Sequence, residues 1–178
     1  MTIVAPADNF EASEVIKQAV NYNHPLYIRY GKKPMLDIHS NKTQFQIGKA
    51  IIIEEGEDVA LIATGETVQR AFLASQILKE NNINSTIVSM HTIKPFDSET
   101  FLKIAKKSKV IVSIEEHSEF GGLGEQCASL LAQNQINTNF KIIGIPDEYM
   151  VNGSQSDVLD HYNMSPEKIA KITKSLID

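Results

Sequence analysis

The stretch from Lys49 to Gly65, KAIIIEEGEDVALIATG, decides how the chain is read. Two apolar runs, at 51–53 and 59–64, flank an acidic turn that contains Gly56. Branched side chains suit a pleated surface and glycine suits a reversal, so the stretch reads as two strands in an antiparallel hairpin.

Downstream, the second of these runs opens a regular series. The strand candidates are VALIAT (59–64), STIVSM (85–90), VIVSI (110–114) and FKIIGI (140–145), with helical spacing at 66–82, 97–107 and 121–134 between them. Strands that alternate with helices imply right-handed crossovers and a parallel sheet covered on both faces. The tail SPEKIAKITKSLI carries Ser165 as an N-cap and Pro166 in the first helical position, so it closes the unit as a helix. The expected fold is α/β: a three-layer αβα unit around a mostly parallel five-stranded sheet with one antiparallel strand.

Upstream, TIVAP (2–6) reads as a strand, Asp8 as the cap of a following helix, and LYIRY (26–30) as a second strand. This strand-helix-strand remnant is too small to bury its own faces. The turn-rich GKKPMLDIHSNKTQFQ after it reads as a linker.

With 178 residues the chain holds one sizeable core plus a remnant. Its 17 Lys and Arg against 22 Asp and Glu give a formal charge of −5 without a basic stripe, which excludes an electrostatic nucleic-acid binder. No segment reaches membrane-spanning length and no secretory leader is evident, so a soluble, cytoplasmic protein is expected. Cys127, the one cysteine, lies in an apolar helical pattern and reads as a buried structural thiol.

The segment EEHSEFGGLGEQ (115–126) carries the densest chemistry. Gly122-x-Gly124-x-x-Cys127 approaches a dinucleotide fingerprint, and Asp147 lies near the place of its ribose-binding acid. Glu115, Glu116 and Glu119 crowd the would-be pyrophosphate, however, which argues against that reading. Acid/base catalysis by Glu115, Glu116 and His117 is a second reading, weakened because adjacent extended residues point to opposite sides. The third is a structural corner, whose glycines allow close packing against the sheet or another subunit.

The remaining histidines have no metal-ligand spacing. His24, His39 and His161 are expected at the surface, and His91 bonded to local backbone groups. Asp97 and Thr67 are expected at helix starts.

Together, TIVAPAD, PLYIRYGK, IGKAIIIEEGEDVALIATGETVQRA, SMHTIKPFD and IEEHSEFGGLGEQCASLLA resemble the C-terminal part of transketolases, over essentially the whole chain. The resemblance is closest to the type in which the enzyme is split into two chains. 1-Deoxyxylulose-5-phosphate synthase and the β chains of 2-oxo acid dehydrogenases share this architecture. The resemblance implies that residues 1–35 end a pyrimidine-binding domain, 36–46 form a linker and 47–178 form the transketolase C-terminal domain.

It further implies two-carbon ketol transfer between sugar phosphates by a complete assembly that uses thiamin diphosphate and Mg²⁺. The Gly-Asp-Gly signature is absent from this sequence, and the activating glutamate is expected upstream, so Glu11 and Glu14 do not take that role. The chain alone is therefore expected to be inactive and cofactor-free, with the remaining domains or an N-terminal subunit as partner, in a dimer. Arg29 matches the family's sugar-phosphate arginine, with Lys32 and Lys33 read as a solvated pair. Glu116, His117, Gly121, Gly122 and Gly124 are expected in a structural or subunit-contact loop. Asn81-Asn82 reads as a helix end, and Asn163 takes a place where the family often has glycine, which asparagine also tolerates. A stand-alone nucleotide-binding or regulatory α/β module is the alternative of another class.

Overall fold

A computed structural model describes residues 1–31, 35–39 and 43–177. Lys32 and Lys33 lie outside the described residues. In chain order the elements are β1 (Thr2–Val4), α1 (Asn9–Ala19), β2 (Leu26–Ile28), β3 (Ile51–Glu54), β4 (Val59–Ala63), α2 (Thr67–Glu80), β5 (Ser85–Ser89), β6 (Thr92–Lys94), α3 (Ser98–Ala105), β7 (Val110–Ser118), α4 (Leu123–Gln133), β8 (Asn139–Ile145), α5 (Gln155–His161) and α6 (Pro166–Lys174).

Five strands form the large sheet in the order β3-β5-β4-β7-β8. β4, β5, β7 and β8 run parallel and β3 is the antiparallel member. Every residue of β4 is fully buried, as a central strand with both faces covered requires. Alternation divides them: Leu61 and Ala63 join the apolar layer with α2, α5 and α6, whereas Ala60 and Ile62 join the layer with Phe101 of α3 and Leu123 and Cys127 of α4. Burying each large aliphatic or aromatic side chain contributes roughly 1.5–3 kcal/mol. The three-layer arrangement follows from these two apolar faces.

β3 and β4 do not form the expected hairpin. β5 lies between them, with Ile51 opposite Ser89 on one side and Val59 opposite Ser85 on the other. The turn after β3 instead passes over the start of β5. There the Gly56 N–H donates to Thr86 Oγ1 at 3.0 Å, and the Thr86 hydroxyl donates to Gly56 O at 2.7 Å. A Cβ on Gly56 would lie 2.5 Å from the backbone of Asn84 and Ser85. The glycine thus serves a close approach between backbones rather than a two-strand reversal.

The first unit has the expected α1 crossover between parallel strands β1 and β2, and Asp8 caps α1 by accepting the Glu11 N–H at 2.9 Å. As a unit too small to bury its own faces, it is completed by β6, which pairs antiparallel with β1 to make a three-stranded sheet, β2-β1-β6. Val4 and Val15 pack there with Phe45 and Ile51. The side-chain amide of Gln18 ties down the incoming chain, donating to Phe45 O at 2.7 Å and accepting the Ile47 N–H at 3.1 Å.

His39 is not at the surface as expected. Its ring is buried, with Nδ1 2.6 Å from Asp8 Oδ2 and Nε2 3.1 Å from Glu11 Oε1. The physical reason is charge: two buried carboxylates, the α1 N-cap Asp8 and Glu11 of its first turn, need a cation, and the chain after β2 supplies one. Burial alone lowers the imidazole pKa, but hydrogen bonds to Asp8 and Glu11 and their charges raise it to about 9. His91 is also fully buried; its Nδ1 lies 2.9 Å from Thr92 Oγ1, and its ring stacks on Phe45 with centroids 4.2 Å apart.

Candidate phosphate-recognition crevice

From β4 the chain crosses through α2 to β5 on one side, while β7 flanks β4 on the other. The gap between the carboxyl ends of β4 and β7 is therefore the topological switch point, where open α/β sheets commonly bind ligands. The first unit covers this gap. The Ala5 N–H donates to His91 O at 2.7 Å, and the Gly65 N–H donates to Ala5 O at 3.1 Å.

Arg29 follows β2 directly, and its N–H donates to Val4 O at 2.9 Å, which fixes the root of the side chain beside the crevice. Its Nη2 donates to Glu116 Oε1 at 3.1 Å, with 24% of the arginine side chain exposed. Arg29 Nε is buried without a hydrogen-bond partner. Gly65, at φ +57°, makes the turn beneath the pair; a Cβ there would stand 3.0 Å from Glu116 Oε1 and 3.6 Å from Arg29 Nη2. Burial raises the Glu116 pKa and the charge of Glu66 adds to the effect; Arg29 opposes both, and the balance lies at about 7.

β7 runs four residues beyond the expected strand, through Ser118, so Glu115 and Glu116 are strand residues on opposite faces. Glu116 meets Arg29, whereas Glu115 turns to the start of α4. There its two oxygens accept the Leu123 and Gly124 N–H groups, each at 2.8 Å. The free amides at the α4 N-terminus are thus taken by the protein's own carboxylate, at the place where a dinucleotide pyrophosphate would sit. Burial raises the Glu115 pKa while these two amides pull it down, and burial prevails.

The glycines of this segment have separate reasons. Gly121 is at φ +74°, and a Cβ on Gly124 would stand 2.5 Å from Ile142 Cγ2, so α4 packs closely on β8. His117 is exposed, 3.4 Å from Ser118 O through Nδ1, and does not join the crevice.

Residues not expected from the sequence complete the surroundings. Glu66, at the start of α2, accepts from Gln155 Nε2 at 2.7 Å, and Arg70 pairs with Asp160 and donates to Met164 O at 3.0 Å. A small cleft of about 140 Å³ lies among Met35, Glu66, Gln69, Arg70, Gln155 and Leu159. The signal for α5 was present in Ser154 and Asp157, which form a capping box, but its seven residues bury a single Leu159. The larger groove, about 1000 Å³ beside Ile52, Thr86, Lys103 and Lys107, is an open surface between an edge strand and a helix, away from the switch point.

Asp97 starts α3 as expected, accepting the Thr100 N–H at 3.2 Å. Thr67 opens α2, and its hydroxyl ties the start of that helix to β7 by donating to Ile114 O at 2.8 Å. Asn81 caps the end of α2, and Asn82 and Asn163 adopt positive φ, in keeping with the expected turns.

Fold and crevice together define a three-layer α/β domain whose switch point is closed by an arginine from a preceding unit. The family model for the transketolase C-terminal domain matches residues 48–169, and the chain belongs to that family. Among curated relatives, it is 41% identical over 174 residues to a putative transketolase C-terminal section of Methanocaldococcus jannaschii, covering 96% of this chain and 54% of that protein. It is 38% identical over 172 residues to an apulose-4-phosphate transketolase subunit of Phocaeicola vulgatus, with the same two coverages. The chain thus spans about half the length of these relatives. A solved structure described as a split-gene transketolase, inactive β4 tetramer, superposes with a TM-score of 0.91 at 26% identity, covering 99% of this chain and 58% of that one.

Proposed function

We propose that this chain is the C-terminal section of a transketolase-type enzyme that moves a two-carbon ketol unit between sugar phosphates. Residues 1–35 belong to the end of a pyrimidine-binding domain, 36–46 connect, and 47–178 form the C-terminal domain, which serves assembly and dimer contacts in a cytoplasmic enzyme. Among the described residues no helix is long and apolar enough to cross a membrane.

Thiamin diphosphate with Mg²⁺ would supply the electron sink for carbon–carbon cleavage in the complete enzyme. The residues here do not fit that cofactor. Among those described, no group of three His, Cys, Asp or Glu side chains is arranged for a metal, and Glu115 fills the α4 N-terminus. No chemical step is assigned to this chain alone, and the cofactor-binding parts come from the remaining domains or a second chain. Among the described residues β2 pairs only with β1, and its Tyr27 is exposed, which supports attachment of those parts at that edge.

The observation that carries the reading is the position of Arg29 at the switch point. A guanidinium fork stays charged and matches phosphate oxygens. The test is reconstitution with the missing N-terminal part. Arg29→Ala should weaken phosphorylated substrates far more than unphosphorylated analogues, whereas equal losses overturn the phosphate role.

A second reading is favoured by 37% identity over 181 residues to the 1-deoxy-D-xylulose-5-phosphate synthase of Dehalococcoides mccartyi, covering 99% of this chain and 29% of that enzyme. Assaying the same reconstituted enzyme for 1-deoxyxylulose 5-phosphate separates the two.

A further inference from the structure

Phosphate recognition by Arg29 meets an obstacle in the structure itself, because a carboxylate already holds one edge of the guanidinium. Arg29 Nη2 lies 3.1 Å from Glu116 Oε1, and the Glu116 side chain is only 13% exposed. A hydrogen bond between two charged groups in a partly dehydrated setting is stronger than an exposed surface pair. The turn at Gly65 packs beneath both partners and fixes their approach. Three charged groups from the packed elements bear on Glu116: Arg29 from the end of β2, and Glu66 and Arg70 from the start of α2. Glu115, next in sequence, is turned away to α4.

From this arrangement we propose that Glu116 is a specificity residue of the phosphate site: a resident carboxylate on Arg29 that an incoming dianion must outcompete. The inference rests on the phosphate reading of Arg29. A singly charged carboxylate ligand merely exchanges one carboxylate for another. A phosphate dianion brings a second charge and a third oxygen to the same fork, so the resident carboxylate discriminates against monoanions. Ionisation of Glu116 near pH 7 places this competition within the neutral range. Above that pH the competitor is charged; below it, Arg29 is released to the ligand.

The experiment titrates the full chain with sulfate, a dianion whose charge is constant from pH 6 to 8, and with acetate as monoanion. The readout is the Arg29 Nε–H resonance, or neighbouring amides in Arg29→Ala. For the unmodified chain, sulfate affinity should rise as pH falls from 8 to 6. Glu116→Gln should bind sulfate about tenfold more tightly at pH 8, lose the pH dependence and gain acetate binding. Glu116→Asp, which keeps the charge, should retain the pH dependence and so separates charge from folding.

If Glu116→Gln binds sulfate no better, or more weakly, while Arg29→Ala loses binding, the phosphate reading stands and the role of Glu116 falls. If Arg29→Ala binds as well as the unmodified chain, or if no form binds up to 50 mM, on the order of the weakest useful affinity, the phosphate reading falls and this inference with it.

Discussion

Glu115 and Gly122 occupy one another's space: a Cβ on Gly122 would lie 2.0 Å from Glu115 Oε2. The absent side chain lets the carboxylate reach the first amides of α4. Gly122→Ala should therefore lower stability by about 1–3 kcal/mol through overpacking. Gly121→Ala should cost about 1–2 kcal/mol for a different reason, since its position has no neighbour within 4 Å but requires φ +74°. Urea midpoints of the two variants, each combined with Glu115→Ala, check the mechanism: only the Gly122 penalty should shrink when the carboxylate is removed.

Replacement of Glu115 by Ala should leave the Leu123 and Gly124 N–H groups without their acceptor. Each lost partner costs about 1–3 kcal/mol when buried. Hydrogen exchange at these two amides should accelerate before any loss of the rest of α4, which distinguishes a lost cap from general unfolding.

The His39 cluster sets a pH dependence. His39 is raised to about 9, so its contribution is complete below the unfolded pKa of about 6.5 and disappears as pH rises through 9. For Asp8, burial raises the pKa, but the hydrogen bond from His39 and the backbone N–H groups of Glu11 and Ile38 outweigh it and hold the value below normal. Its contribution is present above the unfolded pKa of about 4 and is lost as pH falls through the folded value. Stability measured by urea titration should peak between those limits, and His39→Leu should abolish the decline between about pH 6.5 and 9.

Cys127 is fully buried in α4, and burial pushes its thiol pKa far above the usual range, with Glu115 adding to the shift. A thiol-reactive dye should leave the native chain unlabelled at pH 8 and react at the rate of global opening once urea is added. Rapid native labelling would contradict this packing.

Much of the fold was legible because periodicity is dictated by burial. The runs at 59–64, 85–90, 110–114 and 140–145 became strands, and the caps Asp8, Asp97 and Ser165 start helices as read. What was not legible depended on contacts between distant segments. Gly56 looks the same whether it reverses a hairpin or lets two backbones touch, and only the placement of β5 decides. β6 is three residues long, too short for a pattern, and exists because β1 has an edge to offer. At the crevice, the resemblance pointed to Arg29 alone, because its ion pair with Glu116 spans 87 positions in sequence. His39 was misplaced for the same reason, since the acids that bury it lie on another element.

The pairing of β6 with β1 bears on modularity. The family match begins at residue 48, yet β6, well inside the matched segment, hydrogen-bonds to a strand that begins at Thr2. The unit that sequence similarity outlines is therefore not a unit of excision: cutting before residue 48 would strip β6 of β1 and remove Arg29 from Glu116 at one stroke. A chain break upstream of β1 would keep both pairings within one chain, and a break just after Arg29 would place their partners on different chains.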